Sequence, residues 1–425
     1  MTVLRGMTWS HPRGYDSLLA ATAAFTRGNP DVDVSWEARS LQDFADFPLA
    51  DLADRYDLLV FDHPFIGAVA ASKLLVPLDQ VLPAGVIADA VAHSVGPSQQ
   101  SYEWDGHPWA LAIDAACHVS AHRPDLVGRV PADWAAVLAF ARRAHAAGGP
   151  LLALPAKPID SLLAFLSILA NDIGEPFAGT GGLAAPDRAV LSLELLAELL
   201  AYAHPASLDA NPIQLLELMA STDEVAYLPL TFGYVTYATP GARPSQVHFG
   251  PIPAGRRGIA GGVLGGAGLG ISARSVQLAE AAELLAFVAS GDVQAGAYVA
   301  GGGQPGHRSA WLDPAVNASH GDFFAATLPS IDAAYLRPRW PGFLPAQTAA
   351  AELLHAGLAG GAPARDLVAA LDAHFTAAHR ESDSFARVSR SPGAGHRRPG
   401  GGADRGRSRG AVPLLPIEGD DPHGH

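Results

Sequence analysis

A single cysteine, Cys117, stands in the 425 residues, so no intramolecular disulfide can form and no zinc site built on several thiolates exists. Charge is also scarce, at 16% of residues, and it is lopsided: 42 acidic against 28 basic side chains give a net charge of -14. Such a body has no general attraction for nucleic acid and is repelled by anionic lipid, so neither is an expected partner. No long apolar run is present. The longest uncharged stretch, Gly258 to Ala273, holds seven glycines and falls short of the ~20 residues that span a bilayer. The opening MTVLRGMTWSHPRGYDSLL breaks up too early with Arg, His and Asp to form a secretory signal, and the expectation is a chain that is cytoplasmic as written, or periplasmic or extracellular if its N-terminus is truncated or misassigned.

Several catalytic signatures are missing too. No Gly-Lys-Ser/Thr occurs, the glycines between 261 and 270 do not fall into a G-x-G-x-x-G register, and within residues 1–381 neither G-x-S-x-G nor H-E-x-x-H is found. Nucleotide cradles, hydrolase elbows and zincin helices are therefore not signalled. The glycine-rich stretch reads as a flexible connection between domains, ending in a possible strand at Leu269 to Ile271. His118 and His122 have no carboxylate pattern beside them and read as ordinary hydrogen-bonded histidines, so no metal and no cofactor is expected.

What is abundant is apolar material, 49% of the chain, enough for a large core in two domains. Residues Val3 to Thr8, then Leu18 to Phe25, then Val32, Val34 and Trp36 alternate as strand, helix, strand. A further helix over 41–53 leads into Asp57 to Phe61, the continuous apolar run of a strand covered on both faces. Two successive βαβ units predict a doubly wound sheet with its ligand crevice at the carboxyl ends of the strands, here Thr8 to His11 and Phe61 to Pro64. From Trp134 to Arg380 the pattern is mainly helical, with strands at Glu224 to Leu230 and Gln246 to Pro251. Beyond Ser382 the composition turns to Arg, Gly, Pro and Ser, and residues 386–425 hold seven Arg and four acidic residues. That segment reads as a disordered tail.

Four segments then bring a family into view: LRGMTWSHPRGYDSLLAATAAFTRGNPDVDVSW, YDLLVFDHPFIGAVAASKLLVPLDQVLP, HPWALAIDAACHVSAHRPDLV and VPADWAAVLAFARRA. In this order they resemble the extracellular solute-binding proteins of ABC transporters, in the broad sugar-binding, maltose-binding-like group, over roughly residues 2 to 380. His122 replaces that family's usual Tyr before Arg-Pro-Asp. The resemblance implies an α/β, bilobed periplasmic-binding-protein-like fold: two doubly wound lobes joined by hinge segments, one at 1–115 and 262–315, the other at 116–261 and 316–381, with a tail at 382–425. It also implies a monomer that takes a small polar solute, carbohydrate or polyol, in an interlobe cleft and delivers it to ABC permease subunits. Carried over position by position, the ligand-binding candidates are Trp9, His11 and Tyr15 after the first strand, Asp62 and His63 after the third, and Asp114 and Cys117 at the crossover. Phe232 and Tyr234 follow in the second lobe, then Gly302, Gly303 and Gln304 near the return segment, and Trp340 late in the chain. Two alternatives stay open: a thiaminase-like enzyme on the same scaffold with Cys117 as nucleophile, and a cytoplasmic ligand sensor.

Overall fold

A computed structural model describes residues 1–39, 49–149 and 151–390. The expected helix over 41–53 lies outside the described residues up to 48 and ends in a short helix, Leu49–Ala53. The tail expected beyond 382 begins within a helix, Ala364–Arg390, and from 391 it lies outside the described residues.

Among the described residues the strands are β1 (Thr2–Trp9), β2 (Val32–Arg39), β3 (Leu58–Asp62), β4 (Glu103–Trp104), β5 (His107–Pro108), β6 (Leu111–His122), β7 (Leu151–Leu152), β8 (Val225–Phe232), β9 (His248–Gly250) and β10 (Leu264–Ile271). β1 lies between β2 and β3 and is parallel to both, with helix Asp16–Gly28 as the first crossover. The sheet runs β2-β1-β3-β10-β6-β8-β7, and β9 pairs with β6. Since β1 connects to β2 on one side while β3 lies on the other, the loops after β1 and β3 meet at a topological switch point. That is where the βαβ reading places a crevice.

β6 changes partners along its length. Its first part, Leu111 to Cys117, pairs with β10, and its second part, His118 to His122, pairs with β8 and β9. Eleven of its twelve residues are buried, which explains a composition without the alternation of a one-sided strand. One apolar cluster gathers residues between 4 and 113 with others between 267 and 298. A second draws on residues between 127 and 263 and between 335 and 375. A third joins β6 and β8 to Val299, Ala310, Trp311 and Phe323.

The glycine-rich stretch is not a flexible connection. Leu264 to Ile271 forms a central strand between β3 and β6, and its glycines answer to space. A Cβ on Gly268 would come within 2.6 Å of the Tyr102 ring, and Gly266, at φ +101°, would drive one to 2.4 Å from the Asp114 carbonyl oxygen. Only glycine accommodates both the left-handed backbone and the close approach.

Helices in the middle of the chain begin where their signals stand. Asp133 accepts from the Ala136 N–H at 2.8 Å and starts Trp134–Ala147, while Asn211 and Gln214 form a capping box ahead of Pro212–Ser221. Helix Pro158–Ile173 buries twelve of its sixteen residues, as an apolar helix in the middle of a lobe must. Helix Ala84–Ala92 and the short helices between Gly291 and Ser319 escaped the periodicity reading because they are too brief to show an apolar face over several turns.

Candidate functional site

The loop after β1 is built around Arg13, 5% exposed. Its Nε donates to Asp114 Oδ2 at 2.8 Å, Nη2 donates to Asp114 Oδ1, and Nη1 donates to the Gly233 carbonyl at 3.1 Å. The guanidinium also lies 4.9 Å from the centroid of the Tyr234 ring. One side chain thus ties β1, β6 and the loop after β8 together. Burial alone would depress Arg13, but the Asp114 carboxylate outweighs it and holds the guanidinium charged. Asp114 is raised by burial and pulled back by Arg13. Gly14 lets the loop turn tightly, since a Cβ there would lie 2.3 Å from the Trp9 indole.

Around this pair stand polar groups of a different kind. Burial pushes Asp62, at the end of β3, up to about 6 against the charges of Arg337 and Arg13. Asp160, in the first turn of helix Pro158–Ile173, is 7% exposed, and burial pushes it up to about 7 with only Lys157 opposing. Tyr234 is raised to about 12, chiefly by burial, and the charges of Arg13, Asp114, Asp160 and Asp62 all act on it. The strand that ends at Asp62 packs in the first apolar cluster and the helix that carries Asp160 in the second. Among the described residues neither they nor the Tyr234 hydroxyl make a side-chain hydrogen bond. His11 completes the group, edge-on to Tyr234 at 5.1 Å, with Nδ1 accepting from the Arg13 N–H at 3.1 Å; burial and then Arg13 and Arg243 lower it to about 4.

A strap crosses beside these groups. Gln304 Nε2 donates to the Ala115 carbonyl at 3.1 Å, while its Oε1 accepts from the Val235 N–H at 2.9 Å. Gly302, at φ +89°, sits between Pro12 and Thr236, and Gly303 packs on Tyr298. Arg339 donates to the carbonyls of Gln100, Ser101 and Glu103 and ties the late loop to that segment.

The expected residues therefore separate. His11, Asp62, Asp114 and Tyr234 are brought together, with Phe232 half-buried next to the His118 ring at 4.5 Å, and Gly302, Gly303 and Gln304 form the strap. Trp9 does not offer a face to solvent: at 5% exposed it belongs to the first core, and Tyr15 packs on the same core. His63 is fully buried, with neither ring nitrogen meeting a partner among the described residues. Trp340 packs edge-on against Phe343 and His379 in the second core. Cys117 is 3% exposed, and burial, reinforced by Asp332, raises its thiol, the opposite of what activates a nucleophile. His118 is an ordinary core histidine, 2.8 Å from Ser167 Oγ. Three contributors were not among the expected residues: Arg13, Asp160 and Arg337. Arg13 stands in the loop from Trp9 to Tyr15 that follows β1, and Asp160 was legible only as a carboxylate opening an apolar helix. A cavity of about 460 Å³ lined by Arg5, Trp36, Glu37, Arg55 and Tyr56 shares no residue with this group.

A sequence model of the bacterial extracellular solute-binding proteins matches residues 8–295. The chain belongs to that family. Solved structures of similar fold include a maltose-bound MalE3 of T. maritima, 18% identical with a TM-score of 0.76, covering 91% of this chain and 100% of the other. An ABC transporter solute-binding protein of Agrobacterium radiobacter K84 in complex with ribitol is 20% identical with a TM-score of 0.73, covering 90% and 98%. One from Agrobacterium vitis S4 with bound D-mannitol is 18% identical with a TM-score of 0.70, covering 92% and 100%. The bilobed fold expected of a solute-binding protein is the one observed. Its family is extracellular or periplasmic and works with ABC transporter permeases. Among the described residues no helix of this solute-binding protein is long and apolar enough to cross a membrane.

Proposed function

We propose that this solute-binding protein captures a small polyhydroxylated ligand, a sugar or polyol, between the loops after β1 and β3 on one lobe and the loop after β8 with the start of helix Pro158–Ile173 on the other. The reading rests on one observation. Asp62 and Asp160 lie on elements that pack in different apolar clusters, both act on Tyr234, and neither carboxylate nor the Tyr234 hydroxyl has a hydrogen-bonding partner among the described residues.

Hydroxyl groups of a sugar or polyol donate to carboxylates, and hydrogen bonds to an ionised group contribute about 1.5 to 3 kcal/mol each. The rings of His11, Tyr234 and Phe232 offer apolar faces for the ligand's C–H surface. A ligand held from both sides favours closure of the lobes, by as much as its affinities for the two states differ. We place the division between the lobes at Cys117 and His118, where β6 changes partners, with the return near Tyr298, where the first core ends. The protein then acts as a monomer that carries its solute to ABC permease subunits and performs no chemistry on it. Maltose, ribitol and D-mannitol, bound by relatives of this fold, are the first ligands to test. In a thermal-shift screen a true ligand at 100 times its Kd adds ~2.7 kcal/mol to native stability. No shift with any sugar or polyol, together with a shift for an amino acid or an organic acid, would reject the ligand class.

A further inference from the structure

Asp89 and His93 stand four residues apart at the end of helix Ala84–Ala92, a spacing that sets two side chains on one face. A distant segment brings His307 to them. His93 Nδ1 lies 2.9 Å from Asp89 Oδ1, and His307 Nε2 lies 3.5 Å from Asp89 Oδ2. The two imidazoles stack with centroids 4.8 Å apart. One ligand atom from each of the three residues falls within 4.8 Å of the others.

We propose that Asp89, His93 and His307 form a binding site for a divalent transition-metal ion, with Zn²⁺ as the fitting case. Two imidazoles and one carboxylate are a known donor set for zinc, leaving a fourth position for water, whereas Ca²⁺ and Mg²⁺ prefer all-oxygen surroundings. Bonds of ~2.0 to 2.1 Å require donor atoms closer together than those here. The exposed His93 side chain can close the difference by rotating about its own torsions.

The backbone behind the site is fixed. The Arg308 N–H donates to the His93 carbonyl at 2.7 Å and the Val95 N–H to the Gly306 carbonyl at 3.2 Å, so the helix end and the His307 segment are tied on both sides of the cluster. His307 itself is 7% exposed and packs where Gly291 leaves room, since a Cβ there would lie 2.8 Å from the ring. Its Nδ1 accepts from the Ser309 N–H and lies 2.8 Å from Ser309 Oγ, which donates to the Gly291 carbonyl at 3.2 Å. As an ion binds Nε2, the ring proton moves to Nδ1, which then donates to Ser309 Oγ in place of accepting from the Ser309 N–H. An outer hydrogen bond of this kind is what orients a metal-binding histidine. A ligand ring must be neutral, and Asp89 with the nearby Asp292 places two negative charges beside His307.

The site was not legible in sequence because its ligands lie more than two hundred residues apart in the chain. A bound ion would pin helix Ala84–Ala92 to the segment that continues from the Gln304 strap. The test is a titration of the full-length, chelator-stripped protein with Zn²⁺ alone, in competition with a chromogenic chelator. Other histidines, His423 and His425 among them, can add weaker equivalents, so the reading is a difference between proteins. The tightest equivalent should weaken at least tenfold in Asp89→Asn and in His93→Gln, both at exposed positions, and Zn²⁺ should raise the Tm of the wild type more than that of either variant. His307→Gln should do the same, and the two exposed variants decide the matter if it fails to fold. Titration curves that coincide for wild type, Asp89→Asn and His93→Gln would overturn the proposal, as would displacement of the ion by equimolar Mg²⁺.

Discussion

The Arg13–Asp114 pair and the groups around it are built on opposite rules. At Arg13 and Asp114 every strong donor finds an acceptor: the guanidinium takes both carboxylate oxygens and a carbonyl. Asp160 and Tyr234 are buried and Asp62 half-buried, yet their side chains make no hydrogen bond among the described residues. A buried polar group left in that state costs stability unless something else satisfies it. The contrast separates two kinds of group: the paired charges hold three loops in place, and the unpaired ones are those proposed above to meet the ligand's hydroxyls.

This contrast is most strongly challenged at Arg13. Arg13→Ala strands a buried carboxylate and should lower stability by about 3 to 5 kcal/mol, read from urea melts; a loss under 1 kcal/mol would mean that the pair is not the framework. Trp9 sharpens the boundary from the core side. Trp9→Ala should cost about 3 to 5 kcal/mol as a core truncation, while Trp9→Phe should keep ligand affinity within threefold by calorimetry. A tenfold loss in Trp9→Phe would return the indole to the ligand.

Asp160 tests the receptive side through pH. Its native value of about 7 lies above the ordinary 3.8, so the native state holds a proton that the unfolded chain has released. The stability from that proton is fully present below about pH 4 and is lost as pH rises through about 7. Asp62, raised to about 6, acts in the same direction over a slightly lower window. Asp160→Asn should therefore be more stable than wild type at pH 8, by on the order of 3 kcal/mol, with the two converging near pH 4. Parallel stability curves would show that Asp160 is solvated. Ligand affinity should move the other way in the wild type, strengthening from pH 5.5 to 8 as the carboxylates ionise to accept hydroxyls. The smallest effect is expected at Cys117. Cys117→Ser should leave ligand affinity within about tenfold, or ~1.4 kcal/mol, and a turnover that disappears in this variant would restore the enzyme reading.

Much of the first lobe was readable because its signals are local. Alternation at Val32 to Trp36 and the apolar run before Asp62 declare strands, and two βαβ units imply a switch point. Side-chain direction was not readable. Trp9 and His11 flank the same turn, but Gly14 admits the indole into the core while His11 turns to Tyr234. The glycines of β10 misled for a related reason: their purpose is to clear Tyr102 and the Asp114 carbonyl, contacts made by residues more than a hundred positions away. Asp160 went unnoticed because its environment depends on burial and on Tyr234, far along the chain, and no spacing rule connects those two residues.

The central claim is that Asp62, Asp160 and Tyr234 receive one solute from two lobes. Calorimetric titration of wild type, Asp62→Asn, Asp160→Asn and Tyr234→Phe with whichever sugar or polyol stabilises the protein tests it directly. The account predicts one saturable site in the wild type and affinity at least tenfold weaker in each carboxylate variant, with Tm not lowered. Wild-type affinity in both carboxylate variants would contradict it and move the ligand to another part of the molecule.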